Sequence, residues 1–169
     1  MKITFRIAAL LLALLFVLPL AVSAHGSKEK KSFIVPETFD TTKEYTLTFW
    51  AKNDSNVVQK KVYNDAIAAF EELYPNVHIE MRSFTDYNLI YNDVITNIAT
   101  DTTPNICISY PDHVATYITG QNIVVPLDDL INDVKYGLGG TDVRFDSVRK
   151  DEVISKFLNE GKIGVNIYT

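Results

Sequence analysis

The chain opens on an apolar run from Ile7 to Val22, preceded by Lys2 and Arg6, and its pattern of apolar and polar positions changes character near Glu44. In Tyr45-Thr46-Leu47-Thr48-Phe49-Trp50, β-branched and aromatic residues predict a strand, and the polar stretch Lys52 to Asn56 ends it. From Val57 to Leu73, apolar residues at Val58, Val62, Ala66, Ala69, Phe70 and Leu73 recur at helical spacing. Ser55 or Asn56 is available as N-cap and Pro75 as a stop. Val77, Ile79 and Met81 alternate with His78, Glu80 and Arg82, which predicts a half-buried strand with Ser83 to Asp86 as its exit loop. Tyr87, Ile90, Tyr91, Val94, Ile95 and Ile98 then follow the period of an amphipathic helix capped by Thr85 or Asp86.

Asp101 to Pro104 breaks that helix, and Asn105 to Ser109 reads as a nearly continuous apolar strand of the kind buried on both faces of a parallel sheet. Tyr110-Pro111-Asp112-His113 turns into a short helix ending at Gly120. Beyond it come a short extended piece at Ile123 to Leu127, a short helix at Asp128 to Asp133 and a Gly-rich loop at Gly137 to Gly140. A further helix is expected at Asp151 to Asn159, and a strand or hairpin at Gly161 to Thr169. Strands alternating with helical crossovers predict an α/β domain with a doubly wound, mainly parallel sheet. Ligands of such sheets bind beyond the carboxyl ends of the strands.

The opening run has the form of a secretory signal peptide, with cleavage expected after Ala24. It is short for a span of a bilayer core, which takes about 20 residues. Residues 25–43, charged at first and then carrying Pro36 without a period, read as a tether, and residues 44–169 as one folded domain. The net charge is −5, and loss of the leader removes Lys2 and Arg6 but no acid. An acidic surface argues against nucleic acid and other polyanions as partners. The single cysteine, Cys107, rules out an internal disulfide, so the exported domain relies on an ordinary apolar core.

Three loops follow the predicted strands, and the residues around them resemble the family 1 extracellular solute-binding proteins, the maltose-binding-protein-like group. The resemblance covers residues 44–169. It rests on Phe49-Trp50 before a polar loop, on Phe70-Glu71-Glu72-Leu73-Tyr74-Pro75-Asn76-Val77, and on Thr103-Pro104-Asn105-Ile106 running into Ser109-Tyr110-Pro111-Asp112. Gly120 and Val125-Pro126-Leu127-Asp128 follow in the family's order. The resemblance implies a periplasmic-binding-protein-like lobe serving an ABC importer, with a sugar or oligosaccharide as ligand. Such a protein takes no cofactor or metal, performs no catalysis, meets membrane permease subunits when complete and works as a monomer.

Sugars need polar groups for their hydroxyls and an aromatic face for the apolar side of the ring. Loop one offers Trp50, Asn53 and Asp54, loop two Phe84 and Tyr87, and loop three Ser109, Tyr110 and Asp112. The resemblance supports Asp112 and the Asn53-Asp54 pair most directly. Some relatives carry an aromatic contact where this chain has Ser109, which leaves stacking to Trp50 or Tyr110. Trp50 also suits a plug for the core, Asp54 and Asp86 suit helix caps, and Tyr91 suits packing within its apolar stripe.

Val22-Ser23-Ala24-His25-Gly26-Ser27 has the shape of a lipoprotein signal in which His25 stands where the acylated cysteine would be. Without a thiol no lipid is attached, so the expected location is periplasmic or extracellular without an anchor. The same fold would also suit a lobe that presents ligand to a chemoreceptor or sensor kinase. Ser109, Asp112 and His113 include the residue types of a hydrolase triad but lack the G-x-S-x-G turn. The resemblance implies that the strand near Gly161 to Tyr168 lies just before the crossover to a second lobe. The expectation is therefore a truncated N-terminal lobe that binds sugar weakly or not at all.

Overall fold

The computed structural model describes residues 33–53, 55–120, 123–146 and 149–169; the expected signal peptide and His25 lie outside them. Strand β1, Tyr45–Lys52, leads into helix α1, Val57–Leu73, strand β2, Val77–Phe84, and helix α2, Tyr87–Thr100. Strand β3, Ile106–Cys107, leads into helix α3, Pro111–Tyr117. Helix α4, Asp128–Asn132, a 3-10 turn at Lys150–Glu152 and helix α5, Ser155–Glu160, precede an antiparallel hairpin of β4, Lys162–Ile163, and β5, Asn166–Ile167.

The main sheet runs β2-β1-β3 with both pairings parallel. Tyr45 faces Val77 at one end of the β1/β2 ladder and Lys52 faces Phe84 at the other. Alternation then sends Phe49 and Trp50 to opposite faces. Phe49 meets Tyr63 of α1 edge-on at 5.5 Å. Trp50 joins Phe84, Ile90 and Val94 of α2, and Val114 and Tyr117 of α3, in the buried core. Helices thus cover both faces of a parallel sheet, the doubly wound arrangement expected from the sequence.

Both long helices start where their caps predict. The Asn56 side chain accepts from Gln59 N, and the Asp86 side chain accepts from Asn88 N at 2.7 Å. Helix α2 ends on Asp101 in the left-handed region, at φ 59. On α1, however, Val58, Val62, Ala66 and Ala69 are exposed, and Tyr63, Ile67, Phe70 and Leu73 are the half-buried apolar positions. The helix carries two adjacent apolar stripes, and the one with the large rings docks because Tyr63 meets Phe49.

Strand β3 also differs from its expected form. It spans two residues at the sheet edge rather than five inside it, and Ile106 is 53% exposed. Its hold on β1 is extended by Ile108 N donating to Trp50 O at 3.0 Å. On the other side, Asn105 Oδ1 accepts from Thr48 N at 2.9 Å and from Thr48 Oγ1 at 3.0 Å. A side chain thereby continues the ladder that the backbone leaves short. Val124 packs against the core without forming a strand, and Leu127 N donates to Ile167 O at 2.7 Å, tying that segment to the hairpin.

The stretch read as a tether is pinned over its later part. Phe39 N donates to Tyr136 Oη at 2.9 Å, Lys135 Nζ donates to Glu37 O at 3.0 Å, and the Phe39 ring packs 5.3 Å from Tyr45. Residues 25–32 lie outside the described residues.

Candidate functional site

At the carboxyl end of the sheet, β1 delivers Asn53, β2 delivers Asp86 and Tyr87, and β3 delivers Ser109 to Asp112. Loops two and three meet there. The Tyr87 and Tyr110 rings lie 4.5 Å apart, tilted by 42°. Pro111 at the first position of α3 favours an extended Tyr110, which has φ −90 and ψ 153. Tyr110 is 49% exposed and Tyr87 half-buried, so the pair forms an aromatic ledge open to solvent.

The ledge continues inward. Tyr110 meets His113 at 5.6 Å in an edge geometry, His113 meets Tyr91 at 4.6 Å, and Tyr91 stacks on Tyr117 at 5.7 Å. Tyr117 is 2% exposed and belongs to the core. A row of five rings therefore runs from the open surface to the interior. His113 and Tyr91 were not among the expected site residues. Their signal was the spacing: His113 lies three positions after Tyr110 and Tyr91 four after Tyr87, which brings rings together on helix faces.

Asp112 is exposed in the first turn of α3, where its Oδ1 accepts from His113 N at 3.0 Å. Its other oxygen is available to a ligand hydroxyl. Ser109 is half-buried and its Oγ donates to Tyr110 O at 3.4 Å.

Burial takes three expected contacts off the surface. Trp50 is 7% exposed and Phe84 6%; their rings pack at 5.4 Å, with the Arg82 guanidinium 5.0 Å from one and 4.4 Å from the other. Arg82 is held there by Asp93 of α2 at 2.7 Å. Asn53 is fully buried, its Nδ2 donating to Met81 Sδ at 3.3 Å. Trp50 and Phe84 lie beneath the loops on the face that α2 covers, whereas Asn53 is buried beside Met81, the ladder partner of Phe49. Of the two candidate stacking rings, Tyr110 rather than Trp50 offers a face to solvent. Asp54 lies outside the described residues.

Two buried polar atoms, Asn53 Oδ1 and Tyr117 Oη, have no hydrogen-bond partner among the described residues. Burial pushes the Tyr117 hydroxyl up to about 12, against a smaller opposing pull from the Ser109 side chain. Burial also pushes the Cys107 thiol up. Both effects are those of an apolar interior, not of an activated nucleophile.

The hydrolase arrangement is not assembled. Asp112 engages the backbone of His113 rather than its imidazole, that ring packs on tyrosines, and Ser109 Oγ turns to a backbone carbonyl. Among the described residues no group of three His, Cys, Asp or Glu side chains could hold a metal ion, and no helix is long and apolar enough to cross a membrane.

No protein-family model matches the chain, and no curated protein matches it. Two solved structures share its architecture. One is an extracellular solute-binding protein family 1 member from Alicyclobacillus acidocaldarius, 22% identical with a TM-score of 0.53 over 76% of this chain and 28% of that one. The other comes from work on xylan utilization by the thermophilic bacterium Caldanaerobius polysaccharolyticus. It is 20% identical with a TM-score of 0.51, over 73% of this chain and 27% of that one. The fold is that of a solute-binding-protein lobe. The chain spans under a third of the length of either neighbour.

Proposed function

We propose that this chain forms one wall of the sugar-binding cleft of an exported solute-binding protein serving an ABC importer. The observation that carries the proposal is the solvent-open Tyr87–Tyr110 ledge, placed beyond the carboxyl ends of parallel strands and flanked by Asp112. A sugar ring would lay its apolar face on Tyr110 while Asp112 and Ser109 take hydroxyls, with the buried Trp50, Phe84 and Asn53 supporting the strand ends and Asp54 as a further polar contact. The likeness to a structure from work on xylan utilization supports an oligosaccharide ligand.

In a two-lobed binding protein, closure of the second wall over the ligand completes the contacts and creates the form a permease recognises. One wall supplies part of the contact surface, so the 169-residue chain should bind weakly. The leader at residues 1–24 directs export, residues 25–43 link it to the lobe at residues 44–169, and His25 in place of an acylated cysteine leaves the protein without a lipid anchor.

Thermal unfolding in the presence of a panel of free oligosaccharides tests the reading, since a ligand that binds the folded state raises the midpoint by an amount that grows with the logarithm of one plus the ratio of free ligand to Kd. Stabilisation by at least one sugar, with no cleavage products, is the expected result. No stabilisation by any sugar, or release of shortened products, would contradict it.

A further inference from the structure

We infer that His113 is a positioning residue that fixes the face of Tyr110 presented to ligand. The inference rests on the carbohydrate reading of the ledge. Tyr110 has a constrained backbone but an exposed side chain, and its ring touches only Tyr87 and His113 among the ring contacts of the described residues. Tyr87 is itself at the first position of α2, near the surface. His113 is the contact that leads inward, through Tyr91 to Tyr117 in the core. Among these ring contacts, the path from the interior to the exposed ring passes through the His113 imidazole.

The ring, rather than the polarity, of His113 performs this role. Its backbone N–H is the atom engaged by Asp112, while the imidazole spends its faces and edges on Tyr91 and Tyr110. Stacking of a sugar needs an aromatic face held in place before contact, because ordering the side chain on binding subtracts from affinity. Loss of one aromatic contact lowers the population of the ordered ring, and with it the apparent affinity, by about two- to ten-fold.

The full chain, expressed with its own leader, is compared with His113→Ala, His113→Asn and His113→Phe by two readouts. The first is the ring resonances of Tyr110 in two-dimensional NMR without ligand. The second is titration with xylotriose and maltotriose, followed at the same resonances. Dispersed Tyr110 signals in the wild type and His113→Phe, averaged signals in His113→Asn and His113→Ala, and weaker sugar response in the latter two are expected. Wild-type-like Tyr110 signals in His113→Asn would overturn the inference whether or not sugar binds, and failure of His113→Phe to restore them would do the same. A wild type with no sugar response but with Tyr110 order lost on removal of the imidazole would retain the contact and refute the carbohydrate reading instead.

Discussion

Tyr87 and Tyr110 come from loops 23 positions apart in the chain, yet their rings meet 4.5 Å apart at the mouth of the sheet. The contact exists because β2 and β3 lie on either side of β1 and run in the same direction, so their exit loops converge at one end. A double-mutant cycle of Tyr87→Ala and Tyr110→Ala should show a coupling of about 0.5–1.5 kcal/mol in urea unfolding. A coupling near zero would mean that the ledge is not a packed unit.

Asn105 should matter more than an exposed loop residue usually does. Its side chain accepts two hydrogen bonds from Thr48, and its backbone N–H donates to Thr48 Oγ1 at 3.0 Å. Asn105→Ala leaves the Thr48 amide without its partner, and should cost about 1–2 kcal/mol in chemical denaturation. Asn105→Asp, which keeps an acceptor, should cost less.

The floor of the site is structural. Ile90 is 1% exposed within the cluster of Trp50, Phe84 and Val94, so Ile90→Ala should destabilise by about 2–5 kcal/mol. Urea unfolding followed by Trp50 fluorescence measures it directly, since Trp50 is the chain's one tryptophan.

Tyr117 sets an alkaline limit. Burial raises its folded-state pKa to about 12 from the ordinary tyrosine value of 10.0, so its contribution is fully present below the unfolded value and is lost as pH rises through the folded one. Stability should therefore fall between about pH 10 and 12. Tyr117→Phe should weaken that fall. It also removes a buried hydroxyl that has Ser109 as a polar neighbour but makes no hydrogen bond of good geometry, so at pH near 7 it should be neutral or stabilising. Denaturation midpoints across this pH range provide the check.

The elements with a strong period were legible in the sequence. Asn56 and Asp86 announced both long helices through their caps, and alternation from Val77 placed β2. The docking face of α1 was not legible, because Val58 and Val62 satisfy the same period as Tyr63 and Ile67. The choice between them depends on Phe49, a tertiary contact. β3 was overread because Ile106-Cys107-Ile108 is apolar enough for a central strand, whereas its place at the sheet edge comes from the order of pairing. In the site, loop membership predicted Tyr87, Tyr110 and Asp112 at the surface. Composition could not say that Trp50 and Asn53 turn inward, since that depends on Arg82, Phe84 and Met81 around them.

The most direct test of the carbohydrate-binding wall is residue-resolved NMR of the chain titrated with xylotriose. The account predicts shifts concentrated at Tyr87, Ser109, Tyr110 and Asp112, of a size set by weak binding. A cavity of about 440 Å³ at the opposite end of the sheet, lined by Phe39, Tyr74 and Arg144 among others, serves as the internal control. No shifts at all, or shifts confined to that opposite end, would contradict the account.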